Sequence, residues 1–116
     1  MLSNLSVLRN RKTGRFSSWD RSGRNADLWI IPPGETAVLA DIEGPAQITH
    51  IWMTQLDHYR ECVLKVTYDD EAAPSVLAPL GDFFCLGHGM VNSFQSALFS
   101  ASTHFAYMFN KPCALN

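Results

Sequence analysis

The sequence predicts an all-β protein, an antiparallel β-sandwich or jelly roll with a short helix at its N-terminus. Two observations carry this prediction. From residue 36 onward, short β-type segments alternate with turn residues, and no stretch keeps the period of a helix. Hydrophobic residues make up 47% of the 116 residues, which is enough for a folded core and argues against a disordered chain.

The N-terminal part is predicted to form a helical turn and a loop. Leucines at spacing three over residues 2–8 favour one or two turns of helix. Residues 10–25 are polar, rich in Gly, Ser and Arg, and follow neither the helical nor the strand period. We expect them to form a long ordered loop, a kind of segment that often carries function. The predicted domain organisation is therefore residues 1–26, helical turn and polar loop, and residues 27–116, a partial jelly-roll β-sandwich.

The predicted strands begin after a Pro-Pro-Gly turn at residues 32–34. Residues 36–42 alternate between apolar and polar side chains, with Val38 and Ile42 on one face. Residues 46–55 are rich in β-branched and aromatic side chains and are expected to form a mostly buried strand. Further β-prone segments are residues 75–78, 96–100 and 106–109.

Residues 61–68 give the clearest strand signal, because apolar and polar side chains alternate strictly. The side chains expected to face inward are Cys62, Leu64, Val66 and Tyr68, and those expected to face outward are Glu61, Lys65 and Thr67. An acidic turn at residues 69–71 follows. A sandwich that stops in apolar sequence at Asn116 would keep an unpaired edge, so we expect an incomplete first jelly-roll unit.

Composition excludes several classes of protein. The net charge of −2 leaves no basic field for nucleic acid or acidic lipid. The basic cluster of Arg9, Arg11, Lys12 and Arg15 is interpreted as a solvated entry segment, with an anion site as the alternative. No apolar run approaches the length of about 18 residues that a membrane helix needs, and no signal peptide is recognised. Cys62, Cys85 and Cys113 form no CxxC motif and are expected to be buried free thiols in a reducing compartment. The sequence therefore predicts a cytoplasmic protein.

Residues 17–27 (Ser-Ser-Trp-Asp-Arg-Ser-Gly-Arg-Asn-Ala-Asp) gather polar groups around a tryptophan. Sugar sites need this mixture, because Asp and Asn hold neighbouring hydroxyls while an aromatic ring contacts the apolar face of the sugar. The candidate residues are Trp19, Asp20, Asn25 and Asp27. The alternative is a capped turn, in which Asp20 and Asn25 bond to backbone N–H groups, and composition alone favours it.

Two further segments hold candidate residues. Residues 79–89 contain three glycines and a proline, which imply a tight loop. Asp82 and His88 in that loop could orient a hydroxyl or shuttle a proton, and a structural cap is the alternative. On an earlier predicted strand, alternation places His50 and Trp52 on one face, which could line a pocket; a core histidine bonded to a backbone carbonyl is the commoner outcome. No Cys/His or acidic pattern predicts a metal site, and no cofactor is expected.

Three segments in this order resemble the start of glycoside hydrolase family 172: SSWDRSGRNAD, PPGETAVLADIEGPAQITHIWMT and PSVLAPLGDFFCLGHG. The resemblance covers residues 5–116, and Cys85 departs from the family pattern, in which glycine is usual. It implies tandem jelly rolls assembled as trimers or larger homo-oligomers. It also implies a retaining α-D-fructofuranosidase, α-D-arabinofuranosidase or difructose dianhydride I synthase activity. The family's catalytic glutamate pair would lie in later sequence, so no catalytic residue is assigned.

The resemblance implies that the candidate residues help to build a pocket for a furanose-containing oligosaccharide or glycoside. These residues are Trp19, Asp20, Asn25, Asp27, His50, Trp52, Asp82 and His88. The polar residues of the first segment would hold hydroxyls, a tryptophan would stack on the ring, and Asp82 and His88 could instead support the pocket from outside. We therefore expect the N-terminal fragment of a retaining furanosidase-like hydrolase, inactive alone. The alternative is a non-catalytic carbohydrate-binding or oligomer-forming β-sandwich module.

Overall fold

A computed structural model of the chain describes residues 7–8, 10–55, 57–102 and 107–111, the last range through its backbone. The chain divides into two units, Met1–Gly44 and Pro45–Asn116.

The described residues of the first unit form turns, bends and irregular segments without regular helix or strand. The loop predicted over residues 10–25 is confirmed, and so is the turn at 32–34, where Glu35 N donates to Pro32 O at 3.1 Å. Most of the predicted helical turn at residues 2–8 lies outside the described residues.

The strand predicted over residues 36–42 is wrong. These residues are irregular, and Val38, which was placed on the apolar face of the predicted strand, is 72% exposed. An alternating segment becomes a strand when a neighbouring strand accepts its backbone hydrogen bonds and covers its apolar face. In the described part of the first unit no strand offers that partnership.

The second unit is β-rich. Its described strands are β1 (Ile51–Gln55), β2 (Val63–Val66), β3 (Val76–Pro79), β4 (Phe94–Gln95), β5 (Ser100–Ser102) and β6 (Tyr107–Lys111). They form an antiparallel sheet in the order β1-β6-β5-β4 and a separate antiparallel hairpin of β2 and β3. A short helix, α1 (Leu80–Phe83), and a 3₁₀ turn, Gly87–Gly89, follow β3. The predicted β-rich class is confirmed; the sandwich or jelly-roll arrangement stays a prediction.

The β2–β3 hairpin follows the sequence pattern closely. The residues of 61–68 expected to face inward are buried or half-buried, and those expected to face outward are exposed. In the turn that follows, Tyr68 N and Ser75 N donate to Glu71 Oε1 at 2.8 and 2.9 Å, and Ser75 Oγ donates to Oε2 at 2.7 Å. Two hydrogen bonds lower the pKa of Glu71, and the bond from the Ser75 hydroxyl has a larger effect than the bond from Tyr68 N. The predicted acidic turn is confirmed.

Two other predicted strands differ in extent. The strand predicted over 46–55 is regular only from Ile51, as β1, and it is not mostly buried, because its side chains alternate between half-buried and exposed. The strand predicted over 96–100 is wrong except at Ser100, because residues 96–99 form the turn between β4 and β5. There Ser96 N and Oγ donate to Phe99 O at 2.9 and 2.7 Å, so a serine side chain competes for the backbone groups that a strand would need. The segments predicted at 75–78 and 106–109 lie in β3 and β6, residue 106 being outside the described residues.

The core of the second unit lies around α1. Its buried residues are Leu64, Leu80, Phe84, Leu86 and Ala101. The rings of Phe83, Phe84 and Phe99 meet edge to face, with centroids 5.0 to 6.1 Å apart. Such contacts add to the hydrophobic contribution of burial. They attach α1 to the turn between β4 and β5.

Gly81 sits where two backbones meet. Gly81 N donates to Tyr59 O at 2.9 Å, and Leu80 N donates to Cys62 O at 2.7 Å. A Cβ at position 81 would lie 2.9 Å from Tyr59 Cβ and 3.1 Å from Tyr59 O. Only a residue without a side chain permits this approach.

We predict that Gly81→Ala lowers the free energy of unfolding by about 1–3 kcal/mol, because the new methyl group pushes α1 away from Tyr59. Urea unfolding followed by circular dichroism measures the change. Gly87→Ala is the matched control, since a Cβ there meets nothing within 4 Å. Equal unfolding midpoints for the two variants would contradict the prediction.

Candidate functional site

The loop of residues 17–27 is closed at its two ends by short hydrogen bonds. Ser18 Oγ donates to Asp27 O at 3.0 Å, and Asp20 N donates to Asp27 Oδ1 at 2.7 Å. Inside the loop, Gly23 N donates to Asp20 O at 3.0 Å, and Gly23 adopts a positive φ of 77° that suits glycine. The structure therefore brings the Asp27 carboxylate to the backbone of Asp20, the other aspartate that sequence analysis selected in this segment.

The Asp20 carboxylate organises the interior of this loop. Its Oδ1 accepts bonds from Ser22 N and Ser22 Oγ at 2.9 and 2.7 Å, and its Oδ2 accepts one from Ala26 N at 3.2 Å. Two hydrogen bonds from Ser22 lower the pKa of Asp20, and the bond from its hydroxyl has a larger effect than the bond from its backbone N. The ionised carboxylate therefore stabilises the loop fully at pH values above the ordinary aspartate pKa. This stabilisation is lost as the pH falls through the lowered pKa of Asp20. For Asp20 these contacts match the capped turn considered from sequence, whereas the described hydrogen bonds include none from Asn25.

The exposed side chains of the loop and of the segment before it are the ones free to meet a ligand. Trp19 is 58% exposed, and Asn25 is exposed as well. Arg15, Ser17 and Trp19 line an open hollow of about 250 Å³. An exposed indole beside polar groups is a surface on which a sugar ring can stack.

In the second unit, the segment of residues 79–89 places Asp82 beside an arginine rather than beside His88. Arg60 Nη2 lies 3.4 Å from Asp82 Oδ2, while His88 is exposed in the 3₁₀ turn with a φ of 62°. Asp82 Oδ1 is shielded from solvent and has no hydrogen-bond partner in the described part of the chain. A shielded acceptor without a donor is unfavourable, and a hydroxyl brought by a ligand would satisfy it.

His50 and Trp52 share the outer side of the segment that leads into β1. Both are exposed, whereas Ile51, Met53 and Gln55 point toward the interior. The predicted shared face is therefore confirmed, and the core histidine considered the commoner outcome is wrong. Trp52 keeps 49% of its surface exposed.

The cysteines differ from the expected buried thiols. Cys85 is exposed, and Cys62 is half-buried at the edge of the core. The expectation is wrong for Cys85 because residues 84–86 alternate around the tight turn after α1, so Phe84 and Leu86 occupy the core instead. Cys85 also has a φ of 67°, in the left-handed region that favours glycine. Cys113 lies outside the described residues.

Catalytic or metal-binding centres are not apparent among residues that the structure describes. None of the buried residues there is polar or charged, and no group of three His, Cys, Asp or Glu side chains could hold a metal ion. The glutamates at positions 35, 43, 61 and 71 are all exposed. In the same part of the chain, no helix has the length and apolar character needed to cross a membrane.

Comparison with known proteins places the chain in a family. A family model described as GH172 domain-like matches residues 23–112. The chain belongs to the GH172 family. The matched range contains Asn25, Asp27 and all the candidate residues of the second unit, whereas Trp19 and Asp20 precede it. Neither the search of curated proteins nor the search of solved structures returned a match.

Membership of GH172 relates the chain to glycoside hydrolases and therefore to carbohydrate substrates in general. Two polar residues beside the candidates escaped sequence analysis. Arg60 pairs with Asp82 across a separation of 22 positions, and no local pattern signals such a contact. Arg15 belongs to the basic cluster that was interpreted as a solvated segment, and the structure places it beside Ser17 and Trp19 around one hollow.

We predict that Asp20→Ala opens the loop, because three hydrogen bonds to its carboxylate are lost at once. Limited trypsin digestion should then cut after Arg21 and Arg24 about fivefold faster, with fragments identified by mass spectrometry. Asp41→Ala is the control, since it removes an exposed aspartate of the same unit that has no hydrogen bond among the described residues. Equal cleavage rates in the two variants would disprove the scaffolding role of Asp20.

We predict that Cys85→Gly raises the free energy of unfolding by about 0.5–1 kcal/mol, because glycine adopts the positive φ at this position without strain. Cys85→Ala keeps the strained backbone, removes the thiol, and should leave stability unchanged. Urea unfolding of the three proteins in reducing buffer provides the comparison. A gain shared by both variants would trace the effect to the thiol and not to the backbone.

Proposed function

We propose that this chain is the sugar-binding N-terminal part of a retaining furanosidase-like GH172 hydrolase that acts on α-fructofuranosyl or arabinofuranosyl linkages. The observation that carries the proposal is the family match over residues 23–112, which includes residues of both units. The exposed tryptophans and polar side chains described above support it, because they suit the two faces of a sugar ring.

In the first unit, the proposal gives the candidate residues two different tasks. Trp19 stacks on the sugar, while Asn25 and Asp27 hold hydroxyls; Asp27 uses Oδ1 for Asp20 N and keeps Oδ2 for a ligand. Asp20 shapes the loop that presents them, since both of its oxygens already accept hydrogen bonds.

In the second unit, Trp52 and His50 offer a stacking surface and a hydrogen-bonding group on the outer side of β1. Asp82 offers Oδ1 to a ligand hydroxyl while Arg60 holds Oδ2, and His88 supports the same loop. Arg60 therefore acts in the proposal as a positioning residue for Asp82.

The proposal assigns bond cleavage to sequence beyond these 116 residues. A retaining glycosidase needs two carboxyl groups about 5–5.5 Å apart, one of them an acid with a raised pKa. Burial is the usual cause of such a rise, and the glutamates of the described chain are exposed. Glu71 has the opposite character, because its hydrogen bonds to Ser75 and Tyr68 lower its pKa.

A non-catalytic carbohydrate-binding or oligomer-forming module is the second candidate function. It is favoured by a set of large apolar side chains that the first unit leaves exposed: Leu28, Trp29, Ile30, Ile31, Val38, Leu39 and Ile42. Apolar surface of this extent on one segment is typical of contacts with another protein surface. In this reading the chain forms a homo-oligomer and binds sugar without cleaving it.

We predict that the purified chain binds arabinofuranosyl or fructofuranosyl oligosaccharides but does not hydrolyse p-nitrophenyl arabinofuranosides. Trp19→Ala and Trp52→Ala should each weaken binding about tenfold in isothermal titration calorimetry, because a stacking surface is lost. Trp29→Ala is the matched control, an exposed tryptophan outside the proposed site.

Failure of every furanosyl oligosaccharide to bind would refute the proposed function. Hydrolysis by the chain alone would refute the assignment of catalysis to later sequence. Reading the gene downstream of Asn116 separates the two candidates. An in-frame continuation with two further glutamate-bearing strands supports the enzyme, and a stop codon supports the module.

A further inference from the structure

The positive charge of this chain is concentrated in one short segment. The chain has nine Lys and Arg residues, and six of them lie between positions 9 and 24: Arg9, Arg11, Lys12, Arg15, Arg21 and Arg24. Asp20 is the single acidic residue in that range, although the whole chain carries a net charge of −2. A local excess of one sign raises the concentration of oppositely charged ligands near it.

Within this segment, Arg15, Ser17 and Trp19 form one surface. The backbone from residue 15 to residue 19 is irregular. All three side chains are exposed, and together they line the open hollow of about 250 Å³. We call this surface the Arg15 hollow.

Arg15 is not neutralised by the nearby carboxylates. Asp20 turns both of its oxygens inward to Ser22 and Ala26, and Asp27 directs Oδ1 to Asp20 N. Among the described residues, the ion pair that forms joins Arg60 to Asp82 in the other unit and does not involve Arg15. The guanidinium of Arg15 is therefore available to an anion from outside the chain.

We propose that the Arg15 hollow is a subsite for a sugar residue that carries an anionic group, either a carboxylate or a sulfate. Trp19 stacks on the apolar face of the ring, Arg15 forms a forked pair with the anion, and the Ser17 hydroxyl bonds to a ring hydroxyl. The inference rests on the proposed carbohydrate function and extends it from neutral furanosides to substrates or aglycones with an acidic sugar.

The composition of the hollow favours an acidic sugar over a nucleic acid. Single-stranded nucleic acid is bound along a continuous basic groove in which several aromatic rings follow one another. The Arg15 hollow offers one ring, one hydroxyl and one guanidinium, which suits a single pyranose or furanose ring with one charged group.

The test uses three ligands with the same ring: galacturonate, galactose 6-sulfate and neutral galactose. The full chain is labelled with ¹⁵N, and the indole N–H signal of Trp19 is followed at physiological salt while each sugar is added. We expect at least one of the two acidic sugars to bind about tenfold tighter than galactose. The acidic sugar that binds tighter identifies the anionic group.

Arg15→Gln should remove this difference between acidic and neutral sugar. Arg11→Gln is the matched control, because it deletes the same charge from the same segment outside the hollow, and it should change affinity less than twofold. The subsite proposal would be overturned if both variants lost affinity for the acidic sugar equally, or if the unaltered chain bound all three sugars with equal affinity. Tighter binding of a single-stranded oligonucleotide, weakened alike by both variants, would also overturn it in favour of a diffuse polyanion surface.

A parallel titration with a neutral arabinofuranosyl oligosaccharide separates this inference from the proposed function. Galacturonate binding that depends on Arg15, without any furanoside binding, would refute the proposed furanosidase substrate and leave the subsite in place. Furanoside binding without a preference for acidic sugar would refute the subsite alone.

Discussion

The contact between Gly81 and Tyr59 is the constraint on which the second unit depends. Two backbone hydrogen bonds, from Gly81 N to Tyr59 O and from Leu80 N to Cys62 O, fix α1 against the start of the β2–β3 hairpin. This position lets Leu80 and Phe84 enter the core, and it lets Asp82 face Arg60. Because a side chain at position 81 would collide with Tyr59, one glycine decides both the packing and the placement of a candidate residue.

The two candidate loops are held by different forces. The loop of residues 17–27 is shaped by an exposed carboxylate that accepts hydrogen bonds from its own backbone. The segment of residues 79–89 is instead anchored by buried apolar side chains, Phe84 and Leu86, and by the ring contacts of Phe83. Acid therefore weakens the first loop through protonation of Asp20, whereas the anchoring of the second does not depend on an ionised group.

Sequence patterns predicted the structural features that depend on residues close together in the chain. The alternation over residues 61–68 identified β2 and its inward face, because a hairpin forms between neighbours in sequence. The strand predicted from the alternation over 36–42 did not form, because a strand also needs a partner strand that no local sequence pattern reveals. Among candidate residues, the polar cluster around Asp20 was recognisable from composition, but the pairing of Arg60 with Asp82 was not, because it joins two segments through the fold. The family match covers most of the candidates without assigning their roles.

The internal hydrogen bonds of Asp20 have an evolutionary consequence. They fix the shape of the polar loop through a carboxylate and backbone N–H groups, so the exposed side chains beside it take no part in holding that shape. In the proposed function, an exchange of Arg15 or Trp19 would alter recognition while leaving the scaffold intact. A different sugar preference would then need only one or two codon changes, without passing through an unfolded ancestor.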